Sequence, residues 1–272
     1  MISFQRLTDA PPAFLQELAP RRGVRLLVLR DDERYLPAYP GDRAFGGNKW
    51  RKLQHNLLTA RAQGYDTLLT FGGAYSNHLA ATASAGQLFG FRSVGVVRGE
   101  ADSDNPTLRH ARRCGMQLHF LDRRAYRQKE TPAVQEALLD RFGPCYRLPE
   151  GGTNALALPG CRAYPGEITT QLGGDPLDYV IAACGTGGTL AGIIQALPDH
   201  TQAIGLSVLK GNFLQKEITM LLDNPAARNW TVLNNYHFGG YARFRPPLID
   251  FINRFRTETG IPLDPIYTRK LS

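Results

Sequence analysis

Strand-like and helix-like segments alternate through almost the whole 272-residue chain, and this alternation is the pattern that most limits the possible folds. Short apolar runs at residues 67–71 and 179–183 are each followed by glycines and then by a segment with helical spacing. Strands that alternate with helices along a chain form parallel βαβ units. The sequence therefore predicts an α/β protein with open parallel sheets.

The apolar runs and the turn residues between them predict the individual elements. Strands are expected at residues 25–30, 67–71, 94–97, 118–121, 179–183, 204–209 and 231–235. Helices are expected after residue 48 and at residues 78–88, 105–113, 133–142, 163–172, 190–197, 213–222 and 248–259. In the third of these helices the Asn-Pro pair at residues 105–106 predicts the start, because proline suits the first helical turn.

The length of the chain allows one large or two modest domains. Breaks in the pattern near residues 49–51 and 146–149 predict two of them. The large domain would be discontinuous, with residues 1–49 plus 148–272, and residues 50–147 would form a small inserted domain.

The composition is that of an ordinary globular protein, with 43% hydrophobic and 21% charged residues. The formal net charge of +8 invites a nucleic-acid interpretation, but the basic residues are scattered and form no long run or aromatic-interleaved stripe. We interpret the charge as weak attraction for small anions and expect no nucleic-acid partner. The four cysteines have no C-x-x-C spacing, so reduced thiols and no metal site are expected.

The N-terminal segment MISFQRLTDAPP lacks the basic start and apolar core of a signal peptide. No apolar run in the sequence reaches the length of a membrane span. These features predict a cytoplasmic protein without a membrane partner.

Lys49 stands at the predicted start of the first helix, after two glycines that allow a sharp turn. Asn48 is predicted to cap this helix. The apolar stripe is expected at Trp50, Leu53, Leu57 and Ala60, with Arg51, Lys52 and Gln54 facing outward. The helix dipole disfavours a cation at this end, so the Lys49 amine is expected to be partly neutral, as a nucleophilic lysine must be. A solvated basic first turn is the alternative.

The stretch CGTGGT at residues 184–189 joins a predicted strand to a predicted helix. Backbone N–H groups would converge there on the positive end of the helix dipole, which suits a phosphate. The spacing fits neither a Walker loop nor the dinucleotide fingerprint. A plain tight turn between strand and helix is the alternative.

Polar residues also follow another predicted strand, in GGAYSNH at residues 72–78. Ser76 and Asn77 either cap the next helix or serve a site, and His78 is either a buried core histidine or part of that site. Tyr241 follows paired glycines and Tyr267 follows a proline turn. These tyrosines are either half-buried aromatics or phenols that act as acid or base beside a flat cofactor.

A partly neutral lysine, a phosphate-binding turn and polar groups after the strands together predict a site for pyridoxal phosphate. Open parallel sheets bind ligands at the carboxyl ends of their strands, and all three loops follow such ends. The sequence thus predicts an enzyme with this cofactor.

Six short segments, in chain order, resemble the 1-aminocyclopropane-1-carboxylate deaminase/D-cysteine desulfhydrase family. They are GNKWRKL (47–53), GGAYSNH (72–78), PEGGTNAL (149–156), CGTGGTLAG (184–192), GGY (239–241) and LDPIYT (263–268). The resemblance runs from about residue 46 to the end, and the combination of segments is specific. It implies two open parallel-sheet domains of the tryptophan-synthase-β (type II) fold, pyridoxal phosphate as cofactor, a small amino acid as substrate and a homodimer.

The resemblance also implies roles for single residues. Lys49 would hold the cofactor covalently, and Ser76 would place a catalytic hydroxyl near the substrate carboxylate. Tyr241 and Tyr267 would flank the active site as further catalytic residues. The cofactor-binding residues would be Lys49, Asn48, Asn77, Gly185, Thr186, Gly187, Gly188, Thr189 and Thr268.

Thr268 helps to choose a branch of this family. By the resemblance, the cyclopropane deaminases carry glutamate at this position and desulfhydrase-like members carry threonine. A hydroxyl near the cofactor ring does not protonate the pyridine nitrogen as a carboxylate can, so the ring withdraws electrons less strongly. A ring of this kind suits β-elimination of a thiolate better than cleavage of a carbon–carbon bond. The expected activity is therefore a D-cysteine desulfhydrase-like lyase/deaminase reaction that gives a 2-oxo acid and ammonia.

The alternatives are a 1-aminocyclopropane-1-carboxylate deaminase and a non-catalytic truncated relic that only binds ligand. Tyr75 stands where both branches usually have glutamine, so the resemblance leaves the substrate open. Members of the family continue for several tens of residues past the last motif. The C-terminal part of the larger domain is therefore expected to be missing from this chain, which ends at Ser272.

Overall fold

A computed structural model describes residues 7, 12–34, 44–99, 105–237, 246–264 and 266–268. The chain forms two compact units: unit 1 contains Met1–Pro12 and Asp31–Ala157, and unit 2 contains Ala13–Arg30 and Leu158–Ser272. The domain limits expected from the sequence stay a prediction, and they differ from these units. Unit 1 begins its main segment at Asp31 rather than after Lys49.

The elements follow the predicted alternation closely. The strands are β1 (Leu15–Arg21), β2 (Val24–Leu29), β3 (Thr67–Gly73), β4 (Arg92–Arg98), β5 (Gln117–Leu121), β6 (Tyr146–Leu148), β7 (Tyr179–Cys184), β8 (Gln202–Ser207) and β9 (Trp230–Leu233). The helices are α1 (Gly47–Ala62), α2 (Asn77–Phe89), α3 (Pro106–Arg113), α4 (Arg123–Arg127), α5 (Pro132–Phe142), α6 (Leu158–Leu172), α7 (Gly188–Ile194), α8 (Leu214–Leu221) and α9 (Pro246–Thr259). Short 3₁₀ turns lie at Asp31–Glu33, Glu150–Gly152 and Ala155–Ala157.

Unit 1 contains a parallel four-stranded sheet with the order β5-β4-β3-β6. All seven residues of β3 are buried, because a central parallel strand is covered on both faces. From β3 the chain adds β4 and β5 on one side and β6 on the other. The direction of the strand order therefore reverses between β3 and β6, which makes a topological switch point.

The core of unit 1 lies on both sides of this sheet. One cluster joins α1 to α2 through Trp50, Leu53 and Leu57, the apolar stripe predicted for α1. A second cluster packs Phe71 against residues of β4, α4 and α5. Full burial of each large apolar side chain stabilises the fold by about 1.5–3 kcal/mol. The first cluster holds the start of α1 over the sheet.

Unit 2 contains a parallel sheet with the order β7-β8-β9 and an antiparallel hairpin of β1 and β2. The Gln171 side chain in α6 accepts the N–H of Leu15 at 2.8 Å and donates to the carbonyl oxygen of Ala13 at 2.9 Å. These bonds tie the hairpin to α6. Strand β1 was not predicted, because LQELAPR contains a proline and no regular alternation.

The two faces of the β7-β8-β9 sheet differ. Val180, Ala203 and Val232 pack with residues of α7 and α8 in the core of unit 2. Tyr179 and Ile181 on the opposite face of β7 are exposed. Strand β7 is apolar on both faces, as is usual for parallel strands. In the described part of the chain, the core of unit 2 packs on the face with Val180, and the face with Tyr179 and Ile181 is exposed.

The predicted start of α3 and the predicted free thiols are confirmed. Asn105 caps α3 by accepting the N–H of Leu108 at 3.1 Å, with proline in the first helical turn. The four cysteines are free thiols, two buried and two half-buried. Among the described helices, none has the length and apolar character needed to cross a membrane.

Candidate active site

Lys49 lies in the first turn of α1 and is half-buried. The cap is Gly46, whose carbonyl oxygen accepts the N–H of Lys49 at 3.2 Å. The prediction that Asn48 caps the helix is wrong, because Asn48 is already the second helical residue. Gly47 has a φ of 55°, and a Cβ there would lie 3.3 Å from the carbonyl oxygen of Asp31. The turn before the lysine therefore requires glycine.

The next two residues of α1, Arg51 and Lys52, are buried, and the prediction that they face solvent is wrong. Arg51 is 1% exposed and donates to the Asp31 carboxylate at 2.9 Å. Lys52 is 2% exposed, and its Nζ donates to the carbonyl oxygen of Gly151 at 2.6 Å and to Oγ1 of Thr153 at 2.7 Å. Buried cations require such partners, and these partners lie far away in the sequence.

The motif at residues 149–156 is fastened to the same helix by side-chain amides. Asn56 donates to Oδ1 of Asn154 at 3.1 Å, and Asn154 donates back to Oδ1 of Asn56 at 2.8 Å. Tyr146 adds its hydroxyl to Asn56 at 3.2 Å. The turn after β6 is therefore fixed against the helix that carries Lys49.

Ser76 follows β3 and caps α2, with its Oγ accepting the N–H of Leu79 at 3.3 Å. A Cβ on Gly72 would lie 2.7 Å from both Cβ and Oγ of Ser76, so the close return of the chain requires glycine. A capping hydroxyl that accepts one hydrogen bond keeps its own proton for a second. The capping and catalytic roles that the sequence offered as alternatives are thus compatible, and Asn77 is the first residue of the helix.

The Ser76 loop and the turn held by Lys52 leave neighbouring strands at the same edge of the sheet. The first follows the carboxyl end of β3, and the second follows the carboxyl end of β6. These two strands flank the switch point of unit 1. Open α/β sheets bind their ligands in the crevice at such a point.

In unit 2 the glycine turn joins β7 to α7. Gly187 has a φ of 77°, and a Cβ there would lie 2.6 Å from Cγ1 of Ile218, so a larger residue does not fit. Thr186 and Thr189 of this turn are half-buried. The first N–H groups of a helix have no intrahelical partner, so the turn offers donors to an anion.

The Tyr267 ring lies against this turn, because a Cβ on Gly185 would be 3.2 Å from its Cε1. Asp264 holds the tyrosine by accepting its N–H at 2.7 Å. Thr268 closes the same short turn by accepting the N–H of Asp264 at 2.6 Å. Two motifs that are distant in the sequence therefore meet within unit 2.

Each of the two units, taken by itself, has groups that suit a part of pyridoxal phosphate. Unit 1 has an amine in the first turn of α1 and a hydroxyl and an amide at the start of α2. Unit 2 has a glycine turn for a phosphate, and at Gly185 a side chain would run into the aromatic ring of Tyr267. An amine, an anion-binding turn and a flat ring are the groups that this cofactor uses in proteins.

Residues 10–237 match the profile of a family described as pyridoxal-phosphate dependent enzymes. The chain belongs to this family. A putative 1-aminocyclopropane-1-carboxylate deaminase of Thermotoga maritima is 30% identical over 278 residues, covering 97% of this chain and 87% of that protein. A D-cysteine desulfhydrase of Klebsiella pneumoniae is 28% identical, covering 96% and 83%. A crystal structure of an ACC deaminase homologue superposes with a TM-score of 0.77 at 27% identity, covering 95% and 82%.

These similarities confirm the family resemblance, the α/β fold with parallel sheets and the cofactor. The protein is a pyridoxal-phosphate-dependent enzyme of the lyase/deaminase kind. Lys49, Ser76 and Asn77 lie in unit 1, and the glycine turn, Tyr267 and Thr268 lie in unit 2. Tyr241 lies outside the described residues. The individual roles of these residues in this pyridoxal-phosphate enzyme stay predictions.

The sequence allowed His78 to be either a buried core histidine or part of the site of this enzyme. His78 is 1% exposed, and both ring nitrogens are buried without a hydrogen-bond partner among the described residues. Burial places the pKa of His78 well below its ordinary value, and the charges of Lys49 and Lys52 lower it further. The imidazole is therefore neutral in the native protein at neutral pH.

This histidine makes the native protein sensitive to acid. The unfolded chain takes up a proton at His78 below pH ~6.5, whereas the native chain does not, so the free energy of unfolding falls as the pH drops. The loss from this group grows as the pH falls from ~6.5 toward the lowered pKa of the native imidazole. Urea unfolding of the wild type and of His78→Gln over this range measures it. The free energy of unfolding of the wild type should fall relative to that of His78→Gln as the pH drops, whereas His200→Gln, at an exposed site, should follow the wild type.

Proposed function

We propose that this enzyme catalyses a D-cysteine desulfhydrase-like β-elimination on a small amino acid. One water and one D-cysteine would give pyruvate, hydrogen sulfide and ammonia. The observation that carries the proposal is the neutral residue at position 268. Its hydroxyl accepts a backbone N–H at 2.6 Å, so this position brings no carboxylate to the site.

The residues of unit 1 would hold and deprotonate the substrate. When bound, pyridoxal phosphate withdraws electrons from the α-carbon of the amino acid and makes the α-proton acidic. Lys49 would hold the cofactor through Nζ and, once the substrate has displaced it, take up the α-proton at the same atom. The Ser76 hydroxyl would donate to the substrate, since its oxygen already accepts the N–H of Leu79. Asn77 would orient the cofactor ring through its amide.

The residues of unit 2 would bind the phosphate of the cofactor. The N–H groups of residues 185–188 and the hydroxyls of Thr186 and Thr189 suit a phosphate, because α7 begins in this turn. The Tyr267 phenol, packed beside Gly185, would act as acid or base near the leaving group. Tyr241 is proposed for a similar place by the family resemblance alone.

The second candidate is deamination of 1-aminocyclopropane-1-carboxylate, which the name of the Thermotoga maritima relative favours. It requires cleavage of a carbon–carbon bond and would release 2-oxobutanoate and ammonia. A ligand-binding relic without turnover is the third, and it predicts binding without product. We also propose a cytoplasmic homodimer with no nucleic-acid partner, which size-exclusion chromatography and a gel shift at low salt would test.

A substrate panel with the cofactor-loaded chain separates these candidates. D-cysteine, L-cysteine and 1-aminocyclopropane-1-carboxylate are supplied in turn, and sulfide, 2-oxo acid and ammonia are followed. We expect sulfide and pyruvate in equal amounts from D-cysteine and little product from the cyclopropane. Production of 2-oxobutanoate would support the second candidate and contradict the first. Retention of cofactor without any product would support the relic.

A further inference from the structure

The His78 imidazole occupies a position where a polar side chain destabilises the fold. Its two ring nitrogens are fully buried and have no hydrogen-bond partner within the described part of the chain. An apolar side chain of similar size would avoid the loss of hydration without giving up any observed hydrogen bond. Native proteins keep unsatisfied buried polar groups mainly where function requires them. His78 is therefore a candidate for a functional role.

The imidazole is wedged between α2 and the turn at Glu150–Gly152. Gly152 has a φ of 66°, and a Cβ there would lie 2.7 Å from Cε1 and 3.0 Å from Nδ1 of His78. Only a glycine lets the ring approach this closely. Lys52 holds the same turn through Gly151 and Thr153. The ring thus packs on a backbone segment that is anchored directly to α1.

This anchoring brings the face of α1 that carries Lys49 toward the imidazole. Lys49 precedes Lys52 by three residues, and residues at this spacing lie on the same helix face. Since the Lys52 amine reaches the turn that covers His78, the Lys49 side chain projects from the same face one turn earlier. The proximity of both lysines also appears in their electrostatic effect on the ring.

The surroundings keep the imidazole neutral and hence able to accept a hydrogen bond. The cations Lys49 and Lys52 face it from α1, and the start of α2 adds the positive end of a helix dipole. Glu150, the charged residue of the covering turn, is paired with Lys129 at 3.3 Å. Helix α2 itself has no charged side chain.

We propose that His78 is a positioning residue for Lys49: once the substrate has displaced the lysine from the cofactor, a buried ring nitrogen of His78 accepts a hydrogen bond from Nζ. The acceptor keeps the displaced amine in one place while it takes and returns the α-proton. The inference rests on the proposed role of Lys49. It explains why a neutral, unpartnered acceptor is retained inside the core beside that lysine.

Three variants of His78 separate the acceptor from the shape of the ring. His78→Leu keeps an apolar filling against Gly152 and removes the acceptor, so kcat should fall about tenfold while KM stays within about twofold. Asparagine and glutamine place an amide oxygen near the positions of the two ring nitrogens. At least one of His78→Asn and His78→Gln should recover most of the lost kcat. Thr82→Val, at another buried α2 residue with an unpartnered hydroxyl, should keep the wild-type kcat.

Nitrogen NMR of the histidine-labelled full chain tests the hydrogen bond without relying on turnover. In the protein loaded with pyridoxal phosphate and D-alanine, which has no leaving group at its β-carbon, one ring nitrogen of His78 should shift in Lys49→Met and stay unchanged in Lys216→Met, at an exposed lysine. Adding D-alanine to the cofactor-loaded wild type should shift the same resonance in the opposite direction, because it frees Lys49 to form the bond. The His78 signals are assigned by their loss in His78→Gln.

Unchanged His78 resonances in Lys49→Met would overturn the proposal, and so would a wild-type kcat in His78→Leu. If His78→Leu does not fold, the amide variants and the wild-type resonances still decide the question. Failure of the proposed function has a different signature, because substantial turnover in Lys49→Ala would remove the role of Lys49 itself.

Discussion

Lys49→Ala is expected to lower turnover by roughly three orders of magnitude or more, since the residue both holds the cofactor and moves the α-proton. The next lysine of the motif, Lys52, cannot replace it because its amine is bound to Gly151 and Thr153. The place of the lysine supports this expectation. It is half-buried in the first turn of α1, where the helix dipole opposes a positive charge, so a neutral amine is easier to obtain there. The measurement is the rate of 2-oxo acid formation with the cofactor-loaded chain.

A second measurement separates loss of chemistry from loss of fold. After incubation with pyridoxal phosphate and desalting, the wild type should retain the near-visible absorbance of lysine-bound cofactor, and Lys49→Ala should not. The control is Lys216→Ala, on the exposed side of α8, which should keep both absorbance and turnover. Substantial turnover in Lys49→Ala would contradict the assignment, whereas a lost absorbance band together with an intact thermal transition would support it.

The architecture could be predicted because its signals are local. Apolar runs followed by glycines gave β3 and β7 nearly to the residue, and the Asn-Pro pair gave the start of α3. Two of the three loops proposed for the cofactor, after β3 and β7, follow parallel strands as predicted, since a glycine turn after a strand needs no knowledge of distant residues. Gly72 and Gly187 illustrate the reason, because their neighbours leave no room for a side chain. The prediction was wrong for the Lys49 turn, because the preceding strand β2 pairs antiparallel with β1.

The failures concern residues whose partners are distant in the sequence. Arg51 and Lys52 looked like the solvated face of an amphipathic helix, but Asp31 and the Gly151–Thr153 turn bury them. Helical periodicity contains no information about such partners. The cap of α1 was predicted at Asn48 but lies at Gly46. The stretch of two glycines and an asparagine offers more than one possible start of the helix.

Strand order is the other feature that a single sequence did not determine. The sequence gives no sign that β6 pairs with β3 rather than with β5, yet this pairing creates the switch point. It also explains why the motif at residues 149–156 lies at the same sheet edge as Ser76. The unpartnered nitrogens of His78 could be found only from the packed structure, because burial and hydrogen bonding are properties of the fold.

Asp31→Ala is expected to destabilise the protein by about 3–5 kcal/mol, because it leaves the buried Arg51 guanidinium without this carboxylate. The two side chains are 1% and 14% exposed, and Arg51 donates to Oδ1 of Asp31 through Nε at 3.1 Å and through a terminal nitrogen at 2.9 Å. A charge so far from water loses much more from a missing partner than a surface charge does. Urea unfolding followed by circular dichroism measures the change in the free energy of unfolding.

The matched control is Asp66→Ala. It removes the carboxylate of a similarly close ion pair, in which Asp66 lies 3.0 Å from Arg92 and both side chains are exposed. Solvent screens this second pair, so its loss should be small beside that of Asp31→Ala. A double variant with Arg51→Met should recover part of the stability, because the buried guanidinium that lost this carboxylate is gone. Equal losses at Asp31 and Asp66 would contradict the idea that burial makes the first pair important. Since Asp31 also contacts the turn at Gly47, the Asp31 variant should lower turnover through the placement of Lys49 even where the fold survives.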